Sequence, residues 1–256
     1  MPKTLQNFIR EFASLHISLY AANAAFFLLL SCFPLSSLLL TLLRYLPVTQ
    51  QDLFALLEPL LPSALLPFVK AGAADVSVYG LVRIISFNVI TTLWASSKGL
   101  HSLIFGLNRV NHATETRGYF KRRFLCLGYT LLLLIALLLT LLLHVFGRRL
   151  LDLLGVGVPL FAAFLLTAFI SVLYLVLPNR KTPLRRALPG ASCAAVAWLI
   201  FSALFSYYVN HYAARTANDT ITAVLLGTLW LYFCMAILLC GAYLNRLIFR
   251  FPRQNG

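Results

Sequence analysis

Carboxylates are scarce in this chain. Only seven of its 256 residues are Asp or Glu, against 21 Lys or Arg, and charge of both signs makes up 11% of the sequence. Soluble domains carry about 25% charged residues, so a soluble globular fold is excluded. Cysteine is equally uninformative as chemistry. Cys32, Cys126, Cys193, Cys234 and Cys240 lie within apolar runs or at their edges, and none forms a CxxC pair. No His/Cys spacing suits a metal, so these thiols read as small apolar packing residues. H-E-x-x-H, G-x-S-x-G and P-loop patterns are also absent, which removes the common signatures of metalloprotease, serine hydrolase and nucleotide-binding chemistry. Neither enzymatic activity nor a cofactor is expected.

What the chain has in abundance is apolar length. Hydrophobic residues make up 61% of it, and the mean hydropathy is +0.86. Several runs approach or exceed the ~20 residues that span a bilayer as a helix. The expected fold is all-α: a polytopic membrane protein of six transmembrane helices plus short amphipathic or re-entrant helices, forming one integral domain over residues 1–256. The spans fall at about 23–46, 82–107, 124–146, 158–177, 190–209 and 221–244. Lys3 and Arg10 precede an apolar run too long for a cleavable signal, so the first span is expected to be retained.

Between the spans the pattern changes. Residues 5–20 set Phe8, Phe12, Leu15 and Leu19 at helical spacing opposite Asn7, Glu11, Ser14 and Ser18, which predicts an interfacial helix within the cytoplasmic segment 1–22. In 47–81, Pro47, Pro59, Pro62 and Pro67 break runs too short to span, so this segment is expected to be a periplasmic helical insert. Pro34 should kink the first span near Ser31. Pro159 and Pro189 sit near span starts, where a missing N–H costs little.

Orientation follows from the basic residues. Fourteen of the 21 fall on one side of the six-span arrangement, in clusters such as KRR at 121–123 and RKTPLRR at 180–186, against four on the other. The positive-inside rule then places both termini in the cytoplasm. Asp52, Glu58, Asp75, Asp152 and Asp219 fall on the outer side, leaving Glu11 and Glu115 inside. Two carboxylates so far apart in sequence do not suggest a two-metal nuclease. The basic loops are expected to meet anionic phospholipid head groups, with membrane lipids the partners throughout. No aromatic residues are interleaved for base stacking, so nucleic acid is not a partner. Oligomeric state is not encoded in any pattern recognised in the sequence.

The second span carries the one unusual constellation. On a helical wheel Thr91, Trp94, Lys98, His101, Phe105 and Asn108 share a polar stripe, and Ala95, Gly99, Ser102 and Gly106 form a neighbouring small-residue stripe suited to close helix contact. Lys98 lies ~21 Å along the helix from its outer end at Ile84, leaving on the order of 9–14 Å to the cytoplasmic boundary. A charge at that depth is expensive and marks a functional residue or a snorkelling one. The candidate substrate-binding residues are Lys98, His101, Trp94, Thr91, Asn108, Asn23 at the inner end of the first span, and Arg83 at the outer boundary of the second.

Four stretches, NAAFFLLLSCFPL at 23–35, WASSKGLHSLIFGLNRV at 94–110, LPNRKTPLRRALPGASCAAVAW at 177–198 and LLGTLWLYFCMAILLCGAYLN at 225–245, together resemble the YihY/BrkB family. These are bacterial inner-membrane proteins historically mislabelled ribonuclease BN. The resemblance implies six helices and supplies no chemistry. Two departures stand out. Many members carry Gly-Ala-Glu near the end of the last helix, where this chain has Gly241, Ala242 and Tyr243. Members also tend to have Tyr-Gly before that helix, where this chain reads ARTANDTITAV. Roles resting on that carboxylate or turn do not carry over. The leading expectation is a transporter or translocator of an anionic or amphiphilic, lipid-like substrate linked to the cell envelope. A non-transporting envelope scaffold is the alternative, and a membrane-tethered ribonuclease ranks below both.

Overall fold

The computed structural model describes residues 12–43, 81–130, 132, 158–180, 182–213 and 220–249, and these are helices and short connections without a strand among them. The long helices are α1 (Ile17–Leu43), α2 (Leu81–Val110), α4 (Val158–Val176), α5 (Leu184–Tyr208) and α6 (Thr220–Phe249). A shorter helix, α3, covers residues 119–130, and α5 runs into a π-helical turn over Val209–Ala213. Three helical stretches, Phe12–Ser31, Leu184–Tyr212 and Val224–Phe249, are long and apolar enough to cross a membrane, and Ala163–Val176 is a shorter apolar helix. The expected insert at 47–81, residues 1–11, and most of the span expected at 124–146 lie outside the described residues.

Helix ends differ from the sequence expectations for local reasons. The chain makes a short helical turn at 12–14 and then breaks at His16, whose φ of 51° is left-handed. The His16 carbonyl then accepts from the N–H groups of Leu19 and Tyr20, starting α1 six residues before the expected span. Residues 17–20 therefore belong to the first long helix and not to a separate interfacial one. Helix α1 continues through Pro34 to Leu43. Helix α5 likewise begins at Leu184, so Pro189 sits inside it and not at its start. Helix α2 ends in a Schellman arrangement: His112 has φ of 48°, its N–H donates to the Arg109 carbonyl, and the Ala113 N–H donates to the Asn108 carbonyl. That pairing satisfies the last carbonyls of the helix.

The packing runs from α2 to α1, from α1 to α6, from α6 to α5 and from α5 to α4, with α2 also touching α6. Small residues set the distances. Ala95, Gly99, Ser102 and Gly106, the stripe read from sequence, are all buried. A Cβ at Gly99 would meet the Leu28 side chain at 3.0 Å and the Ala24 carbonyl at 3.3 Å. A Cβ at Gly106 would meet Tyr20 and Leu239 at 3.0 Å. The Ser102 hydroxyl donates to the Tyr20 carbonyl at 3.2 Å, pinning α2 antiparallel to α1 in this register. Close backbone approach of this kind drives helix association where no hydrophobic effect operates between apolar helices in lipid.

The α5–α6 crossing is tighter still. A Cβ at Gly190 would lie 2.2 Å from the Gly241 carbonyl oxygen, so no side chain fits between these backbones. Asn245 locks the contact: its Oδ1 accepts from the Gly190 N–H at 2.7 Å and its Nδ2 donates to the Ala187 carbonyl at 3.0 Å. The Tyr174 hydroxyl on α4 donates to the Leu238 carbonyl on α6, tying a third helix into the same node.

Candidate functional site

Three of the residues picked out in the sequence come together in space. Asn23 from α1 and Lys98 and His101 from α2 line one half-open cleft of about 310 Å³, with Phe27, Ser102, Tyr119 and Arg123. The register explains the meeting. With Ser102 bound to Tyr20, the next turn of each antiparallel helix brings Asn23 and Phe27 opposite Lys98. The far wall comes from α3, which supplies Tyr119 and Arg123.

The Lys98 side chain is half-buried, and aromatic rings surround its ammonium. Nζ stands 4.0 Å from the centroid of the Trp94 ring and 5.1 Å from that of Phe27. Such contacts are worth about 0.5–2 kcal/mol, more as water is excluded, so the rings stabilise the cation without neutralising it. Trp94 is thus placed beside the cleft, one turn from Lys98, with half of its surface exposed. His101 packs edge-on against Phe105, centroids 4.8 Å apart, and the Arg122 guanidinium stacks on that same ring at 5.3 Å.

The other candidates lie elsewhere. Thr91 is two turns from Lys98 along α2 and is not among the cleft residues. Arg83 lies in the first turn of α2, with its side chain outside the described residues. Asn108 is buried below the cleft in a polar clasp. Its Nδ2 donates to Glu115 Oε2 at 2.6 Å, and its Oδ1 accepts from the Asn179 backbone N–H at 2.7 Å. Glu115 Oε1 also accepts from the Arg117 N–H at 3.1 Å and pairs with the Arg117 guanidinium at 3.9 Å. Arg117 reaches on to Asn179 Oδ1 and to the carbonyls of Leu177 and Pro178. The clasp joins the α2–α3 connection to the α4–α5 connection. Because α3 follows directly, it sets where Tyr119 and Arg123 stand.

Glu115 is the single carboxylate among the described residues, and the clasp occupies it. The cleft therefore gathers Lys98 and Arg123 beside hydrogen-bonding and aromatic groups, with no acid in its lining among the described residues. Among the described residues, no group of three or more His, Cys, Asp or Glu is placed to hold a metal. The arrangement can bind an anion, and Phe26, Leu30, Ile90 and Trp94, on the two helices that carry Asn23 and Lys98, are exposed apolar residues. Sequence reasoning missed Tyr119 and Arg123. Both sit in the stretch GYFKRR, where the basic cluster reads as a topology signal, and their contact with α2 depends on the turn between.

A helical membrane protein with a cleft lined by Lys98 and Arg123 is what fold and site define. The family described as Virulence factor BrkB matches residues 8–254, and the chain belongs to it. A Bacillus subtilis protein named ribonuclease-like protein YfkH is 29% identical over 253 residues, covering 92% of each chain. The UPF0761 membrane protein Bxeno_A3061 of Paraburkholderia xenovorans is 39% identical over 89 residues, 34% of this chain and 19% of that one. A UPF0761 membrane protein of Chromohalobacter salexigens is 36% identical over 87 residues, 34% of this chain and 20% of that one. No solved structure matches the chain.

Proposed function

We propose that this protein is a bacterial inner-membrane translocator that accepts an anionic amphiphile in the Lys98 cleft. It crosses the membrane six times with both termini in the cytoplasm, and it makes and breaks no covalent bond. One observation carries the reading. Lys98, His101 and Asn23, on two different helices, line a common cleft with Arg123, and among the described residues no carboxylate lines it. A cation kept at membrane depth without a counter-ion is costly, and such residues commonly mark a substrate path. The exposed apolar residues of α1 and α2 suit acyl chains, and the cationic interior suits a head group.

The test is transport of fluorescent anionic lipid in proteoliposomes by wild type and by Lys98→Met. The variant is expected to lose transport while keeping its abundance in the membrane. Removing a charge that inserts at a cost of about 2.5–3.5 kcal/mol at a helix centre should leave it as stable or more so. Full transport by Lys98→Met would overturn the proposal. The topology is tested separately by labelling single cysteines at Lys181 and Arg253 from each side, with reaction expected only from the cytoplasmic face.

A further inference from the structure

The cleft's lining also bears on which head group it takes. Its polar groups are two cations, Lys98 and Arg123, and four neutral hydrogen-bonding side chains, Asn23, His101, Ser102 and Tyr119. Arg122, one residue before Arg123, stacks on Phe105 with its Nε buried and without a hydrogen-bond partner. The aromatic faces of Trp94 and Phe27 are already turned to the Lys98 ammonium. Glu115, the single described carboxylate, is held by Asn108 and Arg117. Among the described residues, a second ammonium entering the cleft would therefore meet like charges and no acid to receive it. In surroundings of lowered dielectric, that repulsion is far stronger than in water.

We infer that the cleft selects the head group of a net-anionic phosphodiester lipid bearing a polyol, and rejects zwitterionic head groups of similar size. Lys98 and Arg123 bind the phosphate oxygens, and Asn23, His101 and Tyr119 offer hydrogen bonds to the polyol hydroxyls. Ser102 already donates its proton to the Tyr20 carbonyl, so its oxygen remains as an acceptor. Size agrees. The cleft holds about 310 Å³ and is open on one side. That admits one phosphodiester with a three-carbon polyol. The inference rests on the cleft being an amphiphile site, but it concerns binding and not movement.

The experiment measures lipid retention by the purified full chain in native mass spectrometry. Phosphatidylglycerol and phosphatidylethanolamine with matched acyl chains are offered together. Phosphatidylglycerol is expected to be retained about tenfold more, a preference equivalent to ~1.4 kcal/mol. Lys98→Met and Arg123→Gln should each erase most of that preference. Lys121→Gln, which removes an exposed charge on α3 outside the cleft, should leave it intact. Deacylated glycerophosphoglycerol at equal concentration should not displace the lipid; displacement would identify a soluble phosphodiester as the ligand and overturn the lipid assignment. Equal retention of the two lipids, or a preference that survives in the Lys98→Met/Arg123→Gln double variant, would overturn the selectivity. Selective binding without transport in proteoliposomes would keep this assignment and remove the transport reading.

Discussion

Replacing Gly190 by alanine should destabilise the bundle more than its single added methyl suggests. The new Cβ would stand 2.2 Å from the Gly241 carbonyl oxygen and 2.6 Å from Asn245 Cγ and Nδ2. Carbon–oxygen contacts between helices settle near ~3.3–3.6 Å, so α5 and α6 must separate by about 1 Å. That movement would stretch the Asn245 bonds to Gly190 and Ala187, now 2.7 and 3.0 Å, beyond useful hydrogen-bond range. Overpacking costs about 1–3 kcal/mol, and each lost interhelical bond in a membrane adds ~0.6, at most ~1.7 kcal/mol. The expected loss is thus about 2–6 kcal/mol, read as reversible unfolding in mixed micelles followed by circular dichroism. Gly128→Ala is the control, because a Cβ there meets nothing within 4 Å; it should be neutral or stabilising by up to ~1 kcal/mol. A Gly190→Ala protein within about 0.5 kcal/mol of wild type, the usual range of a surface change, would refute the close crossing.

Three further outcomes follow from the same contacts. Asn245→Ala removes the two interhelical bonds to the Gly190 N–H and the Ala187 carbonyl, and should cost about 1–3 kcal/mol in the same unfolding assay. Glu115→Gln and Arg117→Leu should each lower stability by about 1–3 kcal/mol. Because both act in one network, the double variant should lose less than the sum of the two; strict additivity would show that the clasp does not exist as a unit. Gly99→Leu should disrupt the α1–α2 contact, since even a Cβ there presses on Leu28 at 3.0 Å. Gly118→Leu, where a Cβ meets nothing within 4 Å, should be tolerated; equal thermal stability of the two variants in detergent would contradict the observed register.

Much of the bundle could be read from residue spacing. The small stripe of α2 is one face of a regular helix, so the period of 3.6 residues was enough to find Ala95, Gly99, Ser102 and Gly106. The same period found Lys98 and His101. Asn23 stood out because an amide inside an apolar run needs a partner or a function. Residues tied to partners far along the chain were not legible. Arg123 and Tyr119 reach the cleft only because the α2–α3 connection folds as it does. Asn179 and Arg117 are 62 positions apart, and no spacing within either polar loop says that they meet. Asn108 fell on the polar stripe, but the stripe extends beyond the cleft, and its lower end serves the clasp instead. Helix starts were misjudged where hydropathy and backbone geometry diverge: His16 adopts a left-handed turn that begins α1 early, and α5 begins at the polar Leu184–Arg186 turn, before its apolar run.

The central claim is that Lys98 holds an anionic lipid in the cleft. The most direct measurement places a benzophenone side chain at Tyr119, which lines the cleft together with Lys98, and photolyses intact cells. The adduct is then identified by mass spectrometry. The account predicts an anionic phospholipid adduct that disappears when Lys98 is changed to Met. Persistence of that adduct in the Lys98→Met background, or crosslinking only to neighbouring protein, would contradict it.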